Sequence, residues 1–188
     1  MSLGLGVGWH MAALAIAERS VESYPSIDDV ILRVLPRIEL FGIGETAFFA
    51  YLLLFAVLYF RQQDRDCGRL LASLGLFYAL RGFFLLLLPI GPPLDAFDPG
   101  DRLTIYPYAS HAYFPGGHIG IMLLMAWVLR RRPLRIGLTM FALLFGFGSM
   151  LTRAHYTADI LGGVLLAYAI HRLLEKRESD EQRGPRTP

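Results

Sequence analysis

The chain contains the stretch LLASLGLFYALRGFFLLLLPI (Leu70–Ile90), in which Arg81 is the one charged residue. The hydrocarbon layer of a bilayer is about 30 Å thick, so a helix needs roughly 20 apolar residues to cross it. Leu70–Ile90 meets that length, and soluble domains rarely contain apolar runs this long. The stretch therefore predicts a transmembrane helix that carries an arginine within the membrane.

Five further apolar stretches extend this pattern to a polytopic membrane protein. They are Leu3–Ala17, Leu40–Phe60, His118–Leu129, Leu134–Leu151 and Tyr156–Leu174. The first and the third are short for a span, and the first lies either across the bilayer or at its interface. We therefore predict an all-α fold class, a bundle of six transmembrane helices, with five as the alternative count.

Basic residues predict how this bundle is oriented. They concentrate around two short loops and after the last apolar stretch: Arg61, Arg65, Arg69, Arg130, Arg131, Arg132, Arg135, Arg172, Lys176 and Arg177. If the helices alternate, all three regions lie on one side, and an excess of Lys and Arg marks the cytoplasmic side. We expect one transmembrane domain over residues 1–174. Because charges mix with Gly and Pro after it, we expect a disordered cytoplasmic tail over residues 175–188.

Composition excludes several classes of function. The formal net charge is only +2, which gives no reason to expect nucleic acid as a partner. Cys67 is the one cysteine, so an internal disulfide and a thiolate metal site are excluded. No Lys or Arg precedes the apolar N-terminal stretch, so a cleaved signal peptide is not expected. Composition leaves the oligomeric state open.

Six charged or titratable residues fall inside or beside the predicted spans at a similar depth. They are Glu45, Arg81, His118, Arg153, His155 and Asp159. At about 1.5 Å of rise per residue, each lies roughly 18–27 Å along its helix from the arginine-rich side. Ionisable groups within a membrane are costly and usually serve function. Their convergence on one depth predicts a single site in the outer half of the bilayer.

The spacing of His155 and Asp159 predicts an activated histidine. At i and i+4, the two side chains share one face of a helix. The carboxylate then accepts the Nδ1 proton of the imidazole and leaves Nε2 free to attack. His118 follows Gly116 and Gly117 at the start of a predicted helix, where free backbone N–H groups can hold a phosphate.

Two arginines complete the predicted phosphate site. Arg81 and Arg153 offer bidentate contacts to phosphate oxygens. One histidine as nucleophile, another as acid and cations on the equatorial oxygens suit in-line phosphoryl transfer. Arg81 has an alternative interpretation as the structural ion-pair partner of Glu45, while His10 and His171 are predicted to be structural histidines.

Three motifs resemble those of one family of membrane enzymes. The first is FPGGH (Phe114–His118), which is similar to the P-S-G-H motif of the type 2 phosphatidic acid phosphatase (PAP2) superfamily. The second is HYTADI (His155–Ile160), which resembles the H-Y-T-x-D-V motif of its sphingomyelin synthase branch. The third is YPSIDD (Tyr24–Asp29) with Pro36 following, which resembles the P-L-P-D region of that branch. The resemblance covers about residues 24–174.

The resemblance implies a six-helix enzyme with an outward-facing site that acts on a membrane lipid. In it, His155 would attack phosphorus to form a phosphohistidine, and Asp159 would orient His155. His118 would protonate the departing lipid alkoxide and then deprotonate the acceptor. No metal and no cofactor is implied. We expect the protein in the bacterial inner membrane, with the site on the periplasmic side.

Several positions depart from the family pattern. Gly116 replaces the serine before Gly-His, and Leu88 occupies an arginine position of the phosphatase branch. Ser110–Ala112 replace the Cys-Gly-Asp of the synthase branch. The His-Tyr-Thr-x-Asp string nevertheless favours transfer of a head group slightly over hydrolysis of a lipid phosphate.

Two other function classes stay open. His118 and His155 are also suited to be the axial haem ligands of a membrane cytochrome, which a Soret absorbance band would reveal. In a non-enzymatic membrane scaffold, the polar layer would be structural only.

Overall fold

The computed structural model describes residues 2–20, 25–38, 43–62, 66–88, 90–93, 96 and 114–183. Within these ranges the chain forms helices and no strand. In chain order the helices are α1 (Leu3–Ser20), α2 (Val30–Val34), α3 (Ile43–Phe60), α4 (Cys67–Leu87), α5 (Gly117–Val128), α6 (Arg132–Leu151) and α7 (Thr157–Arg183). The predicted all-α class is thus confirmed for this part of the chain.

Among the described residues, three helices are long and apolar enough to cross a membrane. They are α4, α6 and the Thr157–Glu181 part of α7. Three other apolar helical segments are shorter than a full span: Leu3–Ala17, Thr46–Phe60 and Gly117–Val128. Each predicted apolar stretch therefore contains one of these helices over most of its described residues, while the count of six spans stays a prediction.

Helix α5 lies at the centre of the bundle. It contacts α3, α4, α6 and α7, and most of its residues are buried. The Tyr51 hydroxyl of α3 donates a hydrogen bond to the Met122 carbonyl in its middle. With 12 residues, α5 is roughly 18 Å long, which is much less than the hydrocarbon thickness. Pro115, Gly116 and Gly117 are buried, so α5 begins inside the protein.

Glycines let α5 approach its neighbours closely. A Cβ on Gly163 of α7 would lie 2.5 Å from the Gly116 carbonyl oxygen. A Cβ on Gly120 would collide with the Phe77 ring of α4, and one on Gly162 would lie 2.6 Å from the Phe114 ring. Helix packing within membranes relies on such small residues. The start of α5 is consequently held against α4 and α7 with no room for larger side chains.

The arginine-rich regions meet at one end of the bundle. The Arg130 N–H at the end of α5 donates to Gln62 Oε1 after α3, at 2.9 Å. Arg69 at the start of α4 forms an ion pair with Glu178 of α7, at 3.0 Å. These contacts confirm that the three regions lie on the same side. His118, at the other end of α5, lies towards the opposite side.

Helix α7 extends further than expected. Residues 175–183, which were expected to be disordered, are helical. Residues 184–188 of the predicted tail lie outside the described part. Ion pairs at i and i+3 or i+4 join Arg172 to Glu175 and Arg177 to Glu181, at 3.1 and 3.0 Å. Such pairs support a helix that is already nucleated by its apolar half.

Helix α1 packs along α4 through glycines. A Cβ on Gly6 would collide with the backbone of Gly75, and one on Gly75 would lie 2.9 Å from the Ser2 carbonyl oxygen. A Cβ on Gly82 would lie 3.0 Å from the His10 Cα. The two backbones therefore touch over several turns, which ties α1 to the rest of the bundle.

Two substitutions in α1 test this packing. Gly6→Ala should lower the free energy of unfolding by about 1–3 kcal/mol, because the added carbon meets backbone that cannot move aside. Gly8→Ala is the matched control, since a Cβ there meets nothing within 4 Å, and alanine favours the helix by up to ~1 kcal/mol. Thermal unfolding in detergent measures both. Equal stability of the two variants would contradict the packing described here.

Candidate active site

The loop before α5 is bound to the first turn of α7. The Gly116 N–H donates to the Asp159 carbonyl oxygen at 2.8 Å, and Gly116 is the N-cap of α5, without a side-chain hydrogen bond from the described residues. The N–H groups of the first turn point away from their own helix. The terminus thus presents backbone donors and the positive end of the helix dipole, which together favour an anion.

His118, in the first turn of α5, faces an accessible space. Its side chain is exposed and its ring contacts Phe48 of α3 edge-on, with centroids 4.5 Å apart. The Phe145 ring of α6 lies 6.1 Å away and the His155 ring 6.2 Å away. The two histidines predicted to cooperate are therefore neighbours, and aromatic rings border them on the side of α3 and α6.

His155 and Asp159 pair across the start of α7. The Nδ1 atom of His155 lies 3.5 Å from Oδ2 of Asp159, whose side chain is fully buried. His155 itself lies in the turn before α7 rather than on the helix, so the helical premise of the prediction was wrong. Asp159 reaches back instead, and its Oδ2 also accepts the Tyr156 N–H at 3.0 Å. This is the N3 half of a capping box.

The pair can favour one tautomer of His155. A carboxylate beside Nδ1 stabilises the tautomer that carries its proton there, and Nε2 is then the nucleophilic nitrogen. The separation of 3.5 Å exceeds that of a normal hydrogen bond, and catalytic contacts often tighten when substrate binds.

Arg81 is buried where α1, α4 and the loop before α5 meet. Its Nε donates to the Pro115 carbonyl oxygen at 2.9 Å, and its NH1 lies 2.8 Å from His10 Nε2. A Cβ on Gly117 would lie 3.0 Å from the same Nε. Arg81 thus holds the loop that precedes His118. Its predicted alternative partner is Glu45, whose side chain lies outside the described part of the structure.

His10 makes a specific side-chain contact, which its position as a lone histidine in an apolar helix does not predict. Because Arg81 only donates, the Nε2 atom of His10 must accept, and the proton of His10 lies on Nδ1. His10 therefore connects α1 to the loop of His118 through Arg81. Its sequence context carries no signal for this, because the partner is distant in the chain.

The guanidinium of Arg153, a predicted phosphate ligand, bonds to backbone carbonyls. It is buried, and its NH2 donates to the carbonyl oxygens of Leu32 and Leu35 at 2.6 and 2.9 Å. Its NH1 donates to the Met150 carbonyl oxygen at 3.2 Å. Its backbone is left-handed, with φ 58°, a conformation that favours glycine. These bonds tie α2 to the turn that precedes His155.

The departure at Gly116 has a steric cause. A Cβ at this position would lie 2.8 Å from the Asp159 carbonyl oxygen and 3.0 Å from Ile119 Cγ2. A serine would push the loop away from α7, and with it His118 from His155. The missing hydroxyl is thus the consequence of a closer backbone contact.

Tyr156 and Asp29 also belong to this region, and neither was predicted as a site residue. Tyr156 is buried, and its hydroxyl donates to the Pro92 carbonyl oxygen at 2.8 Å. Asp29 contacts the first residue of α7. An aspartate directly before an apolar segment such as Val30–Val34 is an N-cap signal, and this signal was available in the sequence.

Comparison with known proteins gives a partial similarity. No family model matches the chain. The chain is 33% identical over 69 residues to undecaprenyl-diphosphatase BcrC of Bacillus subtilis (strain 168). The similarity covers 36% of this chain and 36% of that protein, so the chain matches about a third of the length of this relative.

Two variants of Arg153 separate a structural role from a phosphate-binding one. Arg153→Ala should lower the free energy of unfolding by about 1.5–3 kcal/mol, because buried carbonyls lose charged donors. Arg153→Gly loses the same bonds but relaxes the left-handed backbone, so it should be about 1 kcal/mol more stable than the alanine variant. Thermal unfolding in detergent measures this order. Wild-type stability in both variants, with weaker substrate binding, would instead favour the phosphate role.

Proposed function

We propose that the protein is an integral membrane enzyme that hydrolyses a lipid phosphate or diphosphate. The observation that carries the proposal is the His155–Asp159 pair beside His118, with the two imidazole rings 6.2 Å apart. Both rings can reach one phosphoryl group, which is the arrangement that nucleophilic catalysis with a separate acid requires. The resemblance to the PAP2 superfamily in FPGGH and HYTADI supports the same assignment.

In the proposed first step, His155 Nε2 attacks phosphorus in line with the lipid oxygen. The N–P bond forms while the P–O bond breaks, and the electron pair of that bond passes to the leaving oxygen. Protonated His118 gives that oxygen its proton. Asp159 keeps the Nδ1 proton in place and balances the positive charge of the phosphohistidine.

In the second step, water replaces the lipid. Neutral His118 takes a proton from the water, whose oxygen attacks phosphorus as the N–P bond breaks. The electron pair returns to His155 Nε2, and inorganic phosphate leaves. Both histidines then regain their starting protonation states, so the cycle balances.

The phosphate contacts are assigned to the start of α5, and Arg81, which bonds to Pro115 and His10, holds that start in place. The N–H groups of Gly117 and His118 lie at a helix N-terminus, and such donors bind phosphate without a side chain. Gly116 permits their close approach, and Arg81 lies beside Gly117. The bonds of Arg153 to carbonyl oxygens favour a supporting role in place of its predicted phosphate contact.

The similarity to an undecaprenyl-diphosphatase favours hydrolysis over head-group transfer. It also supports a polyprenyl diphosphate as one substrate class. The arginine-rich end favours the cytoplasmic side, which supports a site at the His118 end of α5, on the outer side of a bacterial inner membrane. A second candidate, transfer of a head group to a lipid acceptor, is favoured by the HYTADI string.

Substitution of the pair tests the mechanism. His155→Ala should lower turnover at least about 10³-fold, and Asp159→Asn up to about 10⁴-fold through the wrong tautomer. The control is His171→Ala on α7, since His171 Nε2 also pairs with a carboxylate at i+4, Glu175, at 3.2 Å. That variant should keep its activity. Phosphate release from lipid phosphates by folded His155→Ala at the wild-type rate would rule the mechanism out.

The products separate hydrolysis from transfer. The purified enzyme is offered a phosphorus-labelled polyprenyl diphosphate, phosphatidic acid, or a phospholipid together with a lipid alcohol. Hydrolysis gives labelled inorganic phosphate, whose amount does not depend on the alcohol. Label that moves into a new lipid only when the alcohol is present would establish the transferase instead. Thin-layer chromatography distinguishes the two outcomes.

A further inference from the structure

Asp29 caps two helices at once. Its Oδ1 accepts the N–H groups of Ile31 and Leu32 in α2, at 3.0 and 3.2 Å. Its Oδ2 accepts the N–H of Thr157, the first residue of α7, at 2.7 Å, and its Oδ1 also accepts the Thr157 hydroxyl at 3.2 Å. One carboxylate therefore binds the N-termini of two helices that are far apart in the sequence.

The segment around α2 is bound to the His155 turn on both sides of this cap. The Ile27 N–H donates to the Tyr156 hydroxyl at 3.1 Å. The Arg153 guanidinium bonds to Leu32 and Leu35, and the Ile38 N–H donates to the Leu151 carbonyl oxygen at 3.0 Å. The α2 segment therefore helps to position the turn before α7, in addition to α6 and α7, the two helices that this turn connects.

The charge state of Asp29 suits this role. Partial burial acts to raise the pKa of its carboxyl group, but hydrogen bonds from Thr157, Leu32 and Ile31 outweigh burial and lower that pKa below its usual value. The group is therefore ionised at neutral pH. A carboxylate accepts several N–H bonds at once and also interacts favourably with the positive end of each helix dipole.

Two carboxylates divide the N–H groups at the start of α7. Asp159 takes that of Tyr156, at 3.0 Å, while Asp29 takes that of Thr157. The first N–H groups of a helix have no partner within it, and each carboxylate fixes one of them. Because Thr157 lies two residues after His155 and two before Asp159, its bond to Asp29 holds the backbone between the two members of the pair.

We propose that Asp29 is a positioning residue for the phosphoryl-transfer site, which sets the geometry of the His155–Asp159 pair without touching substrate. This inference rests on the proposed function for its effect on turnover. Its effect on the His155 tautomer is independent of any substrate.

The neighbouring aspartate supplies a matched control. Asp28 forms an ion pair with Arg33, and both side chains are exposed. Exposed pairs of this kind contribute little to stability. Asp28→Ala therefore removes the same group from the adjacent residue without removing a helix cap.

The experiment compares Asp29→Ala, Asp29→Asn and Asp28→Ala in the full chain in detergent. For Asp29→Ala, kcat on the lipid phosphate that the wild type hydrolyses should fall roughly 10–100-fold, as expected for small displacements of a catalytic group, with KM little changed. Asp29→Asn keeps one acceptor oxygen and the side-chain size, so its loss should be smaller. This variant keeps the test valid if the alanine protein does not fold. Asp28→Ala should match the wild type.

A second measurement does not depend on turnover. With ¹⁵N-labelled histidine, NMR of the wild type should show the Nδ1-protonated tautomer of His155, assigned by its loss in His155→Ala. Asp29→Ala should mix the two tautomers, and Asp28→Ala should not. If no lipid phosphate is hydrolysed by the wild type, the proposed function fails while the tautomer result still decides the role of Asp29. An unchanged tautomer in folded Asp29→Ala, or activity loss that only follows the folded fraction, overturns the inference.

Discussion

The hydrogen bond from the Gly116 N–H to the Asp159 carbonyl oxygen, at 2.8 Å, is the contact on which the site depends. It joins the loop before α5 to the first turn of α7, and so joins His118 to His155. Glycine at 116 and at 163 makes the contact possible, because a Cβ on either residue would meet backbone of the other helix. The short central helix α5 is therefore anchored at the end where the chemistry is proposed.

The polar side chains of this region mainly bind backbone. Arg81 binds the Pro115 carbonyl, Arg153 binds the ends of α2 and α6, and Asp29 and Asp159 bind N–H groups of α7. Helices that end inside a membrane protein leave backbone groups that water does not reach, and these groups need partners from the protein. A layer of charged residues at one depth thus marks helix ends as much as it marks a substrate site.

The sequence allowed the coarse arrangement to be predicted but not these assignments. Apolar runs, the shared side of the arginines and the proximity of the two histidines follow from hydropathy and helical rise, which are local properties. The role of Arg153 depends on α2, more than a hundred residues away, and the close packing of α1 on α4 depends on Gly6 meeting Gly75. His155 lies outside the helix, and it pairs with Asp159 because this aspartate caps the start of α7. The i, i+4 spacing on a helix predicts the same pair for a different reason. Helix α7 continues beyond its apolar half, and ion pairs between neighbouring turns support this part.

The buried carboxylate of Asp159 is incompletely hydrogen-bonded in the resting protein. Its Oδ2 serves the Tyr156 N–H and His155, whereas its Oδ1 is buried and finds no hydrogen-bond partner among the described residues. A buried charge with an unsatisfied oxygen costs stability. In the proposed mechanism this carboxylate gains a further cationic partner when Nε2 of His155 is bonded to phosphorus and the ring carries a positive charge. The Asp159 carboxylate would then be more strongly stabilised in the intermediate than in the resting protein. An interaction that becomes stronger along the reaction lowers the barrier rather than merely binding substrate.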